Sequence, residues 1–175
     1  MYLIANVGGT GTGKSTLIKT LLKQGRRIFI FDVQNEYTKI PFFDPKNLKN
    51  QMRYYGDFST YLDICELLPK GFFCVIEEAT GVFDSKIGLR FTNMILSKRH
   101  TGKTWVVNFH LMQYIPPKLV GFIDVLVLRK TGDIEKNIKS KFPQYLEEWK
   151  KILKDKDRYV KKVYFCSNLT MNLTN

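Results

Sequence analysis

Eight residues near the start of the chain have the types and spacing of a phosphate-binding loop. Gly8-Gly9-Thr10-Gly11-Thr12-Gly13-Lys14-Ser15 follows the pattern G-x-x-x-x-G-K-[ST], in which glycines let successive backbone N–H groups curl round phosphates. The lysine of this pattern reaches the β- and γ-phosphates, and the serine hydroxyl completes the shell of a Mg²⁺ ion. We therefore expect ATP and Mg²⁺ to bind here, with Thr16 as the next residue of the site.

The flanking residues predict the elements that hold this loop. Residues 2–7 form an apolar run typical of a strand, and residues 16–22 continue with helical spacing. A phosphate in the loop would then face the positive end of a helix. A Gly-rich turn with an idle lysine is the alternative, and it would not require a strand before and a helix after.

A first pair of acids follows the second apolar run. Asp32 ends residues 26–32, which are typical of a buried strand, and Glu36 lies four residues further on. The carboxyl ends of strands are where α/β sheets bind ligands. Both acids could face the nucleotide or its metal, and a strand-end turn with a solvated glutamate is the alternative.

A second pair, Glu77 and Glu78, ends the apolar run of residues 72–78. Beside a phosphate loop, one such acid serves the water shell of Mg²⁺, and the next orients or deprotonates the attacking water. Neighbouring strand residues point to opposite sides, which suits two roles. We predict Ser15 and Glu77 at the metal and Glu78 as the catalytic acid, although the first acid is usually aspartate. Two solvated acids at a strand end are the alternative.

Polar side chains also mark the end of a later strand, predicted over residues 103–113. Asn108 and His110 share one face of it, and Gln113 lies just beyond. Any of the three could sense the γ-phosphate, or could be a hydrogen-bonded core or turn residue. The preceding helix carries Arg90 and closes near Arg99, and an arginine there could reach the γ-phosphate of a neighbouring subunit.

Composition suggests a polyanionic partner. The 175 residues include 28 Lys and Arg against 16 Asp and Glu, for a net charge of +12. Residues 129–162 hold 12 basic and 6 acidic residues, so this segment carries half of the net positive charge of the chain. Such a balance favours nucleic acid over small anions, although a solvated helix face explains part of it. Three scattered cysteines indicate neither disulfides nor a zinc site.

The remaining pattern predicts a single domain over residues 1–175, with a nucleotide-binding core at 1–130 and a basic extension of helix and strand at 131–175. A helix over 58–68 should be capped by Ser59 or Thr60. We expect a helical stretch over 133–155, broken at Pro143, and a last strand over 158–166. No apolar run reaches the length of a membrane span. Because the first predicted strand begins at once, we expect no signal peptide.

Four stretches resemble, in this order, the FtsK-HerA superfamily of nucleic-acid-pumping ATPases. They are G-G-T-G-T-G-K-S at 8–15, I-F-D-V-Q-N-E-Y at 30–37, V-I-E-E at 75–78, and S-K-R-H-T-G-K-T-W-V-V at 97–107, followed by Gln113 and Pro116-Pro117. The second stretch is characteristic of the HerA branch. The resemblance covers about residues 2–130 and leaves the basic extension unmatched.

The resemblance implies an α/β, RecA-like, additional-strand P-loop NTPase with a mainly parallel sheet sandwiched by helices. It makes Lys14 and Ser15 ligands of nucleotide and Mg²⁺, assigns the two Walker B roles to Glu77 and Glu78, and makes Gln113 the sensor. It also implies an arginine finger acting in trans, either Arg99 or Arg90.

The small size is similar to that of the genome-packaging ATPases of tailless icosahedral viruses, often with an internal membrane. This implies an ATP-driven DNA translocase that contacts the DNA backbone without reading sequence and forms a homo-oligomeric ring, expected to be a hexamer. Its other partners would be capsid or portal vertex proteins. The protein would be located in the host cytoplasm or at the virion vertex and would have no membrane span of its own. A small P-loop kinase of a nucleoside or metabolite, and a filamentous-phage-type nucleotide-dependent assembly protein, are the alternatives.

Overall fold

The computed structural model describes residues 1–80 and 85–166, which form one seven-stranded sheet with helices packed on it. The strands are β1 (Leu3–Val7), β2 (Ile28–Phe31), β3 (Gln51–Tyr54), β4 (Phe73–Ile76), β5 (Thr104–Phe109), β6 (Val125–Arg129) and β7 (Lys161–Phe165). The helices are α1 (Lys14–Lys23), α2 (Phe58–Leu67), α3 (Ser85–Leu96), α4 (Lys98–Thr101), α5 (Pro117–Val120), α6 (Glu135–Lys141) and α7 (Leu146–Lys154). Short 3₁₀ turns cover Met112–Tyr114 and Pro143–Tyr145.

The strand order is β3-β2-β4-β5-β1-β6-β7, and every pairing is parallel except that of β6 with β7. Strand β5 therefore lies between β1, which leads into the phosphate loop, and β4, which leads into the paired acids. This is the additional-strand arrangement, so the predicted fold class is confirmed. The carboxyl ends of the parallel strands meet at one edge of the sheet, which is where such folds bind ligands.

Alternation along the strands divides the core between the two faces of the sheet. On the face that packs against α1, buried residues include Ile18, Ile28, Ile30, Val75 and Val106. The opposite face carries a larger cluster, in which α2 and α3 pack with aromatic side chains. That cluster includes Phe29, Phe31, Tyr61, Phe91 and Trp105.

The cap of α2 differs from the prediction. Asp57, rather than Ser59 or Thr60, is the N-cap, and its carboxylate accepts the backbone N–H of Thr60 at 2.8 Å. The helix begins at Phe58, which is buried in the core, so both Ser59 and Thr60 lie inside its first turn. Within the described residues, we find no helix of the length and apolarity that crossing a membrane requires.

Candidate active site

The phosphate loop is held at both neighbouring strands. The backbone N–H of Gly8 donates to the carbonyl of Phe109 at 3.0 Å, and that of Gly9 donates to the carbonyl of Lys130 at 2.7 Å. Gly11 and Gly13 have φ angles of 72° and 89°, in the left-handed region that side chains disfavour. Gly13 is also the residue from which α1 begins. The loop thus presents its backbone at the N-terminus of α1, as predicted.

Lys14 extends back over this loop. Its Nζ donates to the carbonyls of Gly8 at 2.7 Å and Gly9 at 3.2 Å, and lies 3.3 Å from Nδ1 of His110. Burial lowers the pKa of Lys14 from its ordinary value, while the nearby carboxylates of Glu78 and Glu77 act in the opposite direction. The ammonium group lines a cavity of about 330 Å³ at the carboxyl edge of the sheet.

Oxygen ligands for a cation converge beside Lys14. The hydroxyl of Ser15 donates to Oε1 of Glu77 at 2.6 Å and lies 3.4 Å from Oε2 of Glu36. Hydroxyl and carboxylate oxygens are the ligands Mg²⁺ prefers, and it usually completes its shell with waters and substrate phosphates. These residues therefore fit a nucleotide-bound Mg²⁺. Among the described residues, no group of three or more His, Cys, Asp or Glu side chains is placed to hold a metal ion alone.

Glu77 is buried within a set of hydrogen-bond donors. Tyr37 donates its hydroxyl to Oε1 at 2.9 Å, and the side-chain amide of Asn108 donates to Oε2. Burial raises the pKa of Glu77 to about 7, although the hydrogen bonds from Ser15 and Tyr37 oppose this shift. The pKa of the Tyr37 hydroxyl is raised as well, first by burial and then by the charge of Glu77.

Glu78 has a different set of partners. Its Oε2 pairs with Nε2 of His110, and its Oε1 accepts the backbone N–H of Thr80 at 3.0 Å. Because Nδ1 of the same imidazole faces Lys14, His110 lies between the loop lysine and the second acid. The two acids are thus directed to separate tasks, with Glu77 at Ser15 and Glu78 at His110.

A buried network of hydrogen bonds from β1, β5 and β6 supports the phosphate loop. Asn6, in the middle of apolar β1, donates to the side-chain oxygen of Asn108 at 2.7 Å and to the carbonyl of Lys14 at 3.1 Å. Arg129, at the end of β6, donates to Asn6 at 3.2 Å and to the carbonyl of Thr12 at 3.3 Å. Burial lowers the pKa of Arg129. Sequence reasoning missed both residues, although each is a polar interruption of an apolar strand that ends at the ligand edge.

Asp32 shapes the site without lining the cavity. Its fully buried carboxylate pairs with Arg53 at 3.0 Å and accepts the backbone N–H groups of Glu36 at 2.9 Å and Tyr37 at 3.1 Å. This turn directs Glu36 and Tyr37 toward Ser15 and Glu77. Of the acids after β2, Glu36 is the one that lines the cavity.

The three sensor candidates are separated in space. Asn108 contacts Glu77, and His110 contacts Glu78 and Lys14, whereas the side-chain oxygen of Gln113 accepts a hydrogen bond from Asn137 on α6. The chain turns after β5, and Gln113 is directed away from the loop. Of the three, His110 lines the cavity, and Asn108 is buried behind Glu77.

The two finger candidates lie on α3 and α4. The guanidinium of Arg90 donates to the hydroxyl of Ser59 at 2.7 Å and pairs with Asp63 on α2. Arg99 belongs to α4, but its side chain lies outside what the structure describes.

The cavity is also lined by Thr10, Thr16, Lys19 and Gln34. Tyr159 lines it as well, and sequence reasoning missed this residue.

Comparison with known proteins gives one family. The model of the family described as "Helicase HerA, central domain" matches residues 4–165. A search of curated proteins gave no match.

Solved structures of packaging ATPases share the fold. The genome packaging NTPase B204 of Sulfolobus turreted icosahedral virus 2 in complex with sulfate has a TM-score of 0.74 and 17% identity, over 95% of this chain and 92% of that one. Its complex with ATP-gammaS gives 0.73 and 17%, with the same coverage. The pCW3 conjugation coupling protein TcpA, with ATPgS, gives 0.57 and 15%, over 84% of this chain and 54% of that one. At these identities the likeness shows the fold, which is that of P-loop NTPases.

Proposed function

The chain belongs to the family of the HerA helicase central domain, and from that premise we propose that it is an ATPase that uses hydrolysis to move DNA. The observation that carries the proposal is that groups suited to bind phosphate, to hold Mg²⁺ and to position water line one cavity. Lys14 and the loop backbone can bind a phosphate, Ser15 and Glu77 form an oxygen site, and Glu78 lines the same cavity paired with His110.

Hydrolysis requires these residues to bind, neutralise and position. The N–H groups of the loop and the N-terminus of α1 bind the phosphates, and Lys14 offsets their charge. Ser15 and Glu77 would hold Mg²⁺, which would supply positive charge to stabilise the phosphoryl oxygens. Glu78 orients the attacking water and accepts its proton. His110 holds the carboxylate of Glu78 in place, with its own imidazole in contact with Lys14.

The basic surface supports DNA as the partner. Relatives in fold are named a genome packaging NTPase and a conjugation coupling protein, and this chain carries a net charge of +12. Contacts with phosphates would be largely independent of sequence and would weaken steeply with salt. Exposed basic residues of the extension that could make them are Lys136, Lys139, Lys154, Lys156, Lys161 and Lys162.

We further propose that the subunits act as a ring, a hexamer, in which Arg99 or Arg90 of one subunit completes the site of the next. Arg90 would first have to leave Asp63 and Ser59. In a packaging role the ring would bind capsid or portal vertex proteins. It would then be found in the host cytoplasm and at the virion vertex. Hydrolysis would then depend on assembly, so that the subunits could hydrolyse ATP one after another.

The first test is steady-state ATP hydrolysis at increasing protein concentration, with and without double-stranded DNA. Lys14→Ala is the blank, and Lys23→Ala, an exposed lysine at the other end of α1, is the matched control. Turnover that rises steeply with concentration and again with DNA supports the proposal. Turnover that is flat in both, or absent until a small acceptor is added, would refute the translocase and indicate a kinase.

Mixing variants tests the finger. Arg99→Ala and Glu78→Gln should each lose turnover by about 10³-fold, and a mixture of the two should regain a part of it, because an intact arginine then meets an intact Glu78 at mixed interfaces. The same mixture made with Arg90→Ala tests the second candidate, and Arg26→Ala, an exposed arginine before β2, is the control. If neither arginine variant is complemented, the finger is not one of these residues.

A further inference from the structure

The segment between α7 and β7 is fastened beside the phosphate loop. Within it, the carboxylate of Asp155 accepts the backbone N–H of Asp157 at 2.8 Å, and the carboxylate of Asp157 accepts that of Tyr159 at 2.8 Å. Lys130 joins the segment to the loop, because its side chain donates to the carbonyl of Asp155 while its own carbonyl accepts the N–H of Gly9. The position of Tyr159 is therefore tied to the loop itself.

Arg158 adds a direct contact between the two. Its guanidinium donates to the carbonyl of Thr10 at 3.3 Å. The same group lies so close to Gly11 that a Cβ built there would be 2.0 Å from the terminal nitrogen Nη2. The segment thus lies against the loop at Thr10 and Gly11, through Arg158.

Tyr159 presents an aromatic ring at the mouth of the cavity. Its Cδ1 lies 3.4 Å from the place where a Cβ on Gly13 would be, and the ring lines the cavity together with Lys14 and Ser15. Despite this contact, Tyr159 is 63% exposed. An exposed aromatic ring gains little from folding, and it offers a face on which a flat ring can stack.

We propose that Tyr159 is the stacking platform for the base of the bound nucleoside triphosphate. The inference rests on the proposed function, which places the phosphates in the loop at the start of α1. The nucleoside end of such a ligand must leave the cavity on its open side, where Tyr159 stands next to Gly13. Every base has a stacking face, so this contact adds affinity and selects weakly among the bases.

The test compares ligands with and without a base on the full chain with Mg²⁺. Equilibrium binding of ATP and of inorganic tripolyphosphate is measured for the wild-type chain and for Tyr159→Ala and Tyr159→Phe. Tyr55→Ala is the matched control, because Tyr55 is also 63% exposed but follows β3, far along the sheet. Removing the ring should weaken ATP binding about ten-fold or more and leave tripolyphosphate binding nearly unchanged. Tyr159→Phe and Tyr55→Ala should bind ATP like the wild-type chain.

Two results would overturn the inference. If Tyr159→Ala binds ATP as the wild-type chain does, the ring does not contact the base. If it loses ATP and tripolyphosphate to the same extent, Tyr159 supports the loop and not the nucleoside. A wild-type chain that binds neither ligand would refute nucleotide binding as a whole, and this outcome is distinct from the other two.

Discussion

Replacing Gly8 with alanine should destabilise the protein by about 1–3 kcal/mol, the usual cost of overpacking a core, whereas the same change at Gly9 should cost almost nothing. A Cβ on Gly8 would lie 2.5 Å from the hydroxyl oxygen of Thr12 and 2.8 Å from Cβ of Arg129. Carbon atoms in contact prefer roughly 3.5–4.0 Å, so the second distance must grow by about 0.7 Å or more.

Neither neighbour can yield easily. The Cβ of Arg129 is fixed to β6, which pairs with β1 in the sheet, and Thr12 is buried with its hydroxyl bonded to the carbonyl of Gly9 at 2.8 Å. The loop must therefore shift, and the N–H groups that face the phosphates shift with it. We expect nucleotide affinity to fall together with stability.

Gly9 is the matched control in the same loop. A Cβ there would have the carbonyl of Lys130 as its nearest contact, at 3.5 Å, followed by a methyl group of Thr12 at 4.0 Å, both ordinary distances. Alanine at this position also restricts the unfolded chain, which can offset a small loss.

The assay is urea unfolding of both variants without ligand, followed by nucleotide titration. A loss of 1–3 kcal/mol corresponds to roughly 2–12 °C in melting temperature for a chain of this size. Equal stabilities of the two variants would refute the reasoning, and so would a Gly8→Ala protein that binds nucleotide as tightly as the wild-type chain.

Three further predictions concern Glu77, His110 and Asp57. The pKa of Glu77 is raised to about 7, so the folded state favours its protonated form; this stability is fully present below the unfolded pKa of about 4.5 and is lost as pH rises through 7, at most ~3 kcal/mol. Urea unfolding of the metal-free chain and of Glu77→Gln, which cannot ionise, should therefore give free-energy differences that change over this range, and a constant difference would contradict the shift. His110→Ala frees the carboxylate of Glu78 and should lower the ATP turnover rate by about 10²-fold while nucleotide affinity is nearly kept; an unchanged rate would remove His110 from the mechanism. Asp57→Ala should cost about 1 kcal/mol in unfolding free energy because the N–H of Thr60 loses its acceptor, with Asp57→Asn, which retains an acceptor, as the control; equal losses would argue against the cap.

Contiguous patterns predicted most of the fold. The loop at residues 8–15 and the acids at 77 and 78 each follow an apolar run, and a strand that leads into a loop or an acid is specified by neighbouring residues. The resemblance to the FtsK-HerA superfamily rests on the same contiguous stretches. The family and the additional-strand fold, in which β5 lies between β1 and β4, are confirmed. The order of these motifs along the chain accompanies one topology.

Positions within an element were harder to predict. The cap of α2 is Asp57, and the helix begins at the buried Phe58. Asp57, Ser59 and Thr60 are all residue types that can cap a helix, so the local sequence alone did not distinguish them. Asp32 likewise has the spacing of a ligand, yet its carboxylate is taken by Arg53, a residue of β3 that only the pairing of β2 with β3 brings near.

The path of the chain after β5 depends on a residue outside that strand. The carboxylate of Asp133 accepts the backbone N–H groups of Met112 at 2.8 Å and Gln113 at 3.0 Å. This contact turns the chain toward α6, leaving His110 at the cavity and Gln113 beside Asn137. The assignment of the sensor, and the roles of the individual site residues, stay predictions.

The sequence by itself determined the phosphate loop, the paired acids and the family, since each depends on residues that are neighbours along the chain. Only the tertiary structure decided which distant residues complete the site. Arg129 reaches the loop across 117 positions of the chain through the pairing of β6 with β1. Tyr159 reaches it because Lys130 holds the segment between α7 and β7 through Asp155. No local pattern encodes such contacts, since they arise when the sheet assembles and brings the ends of separate strands to one edge.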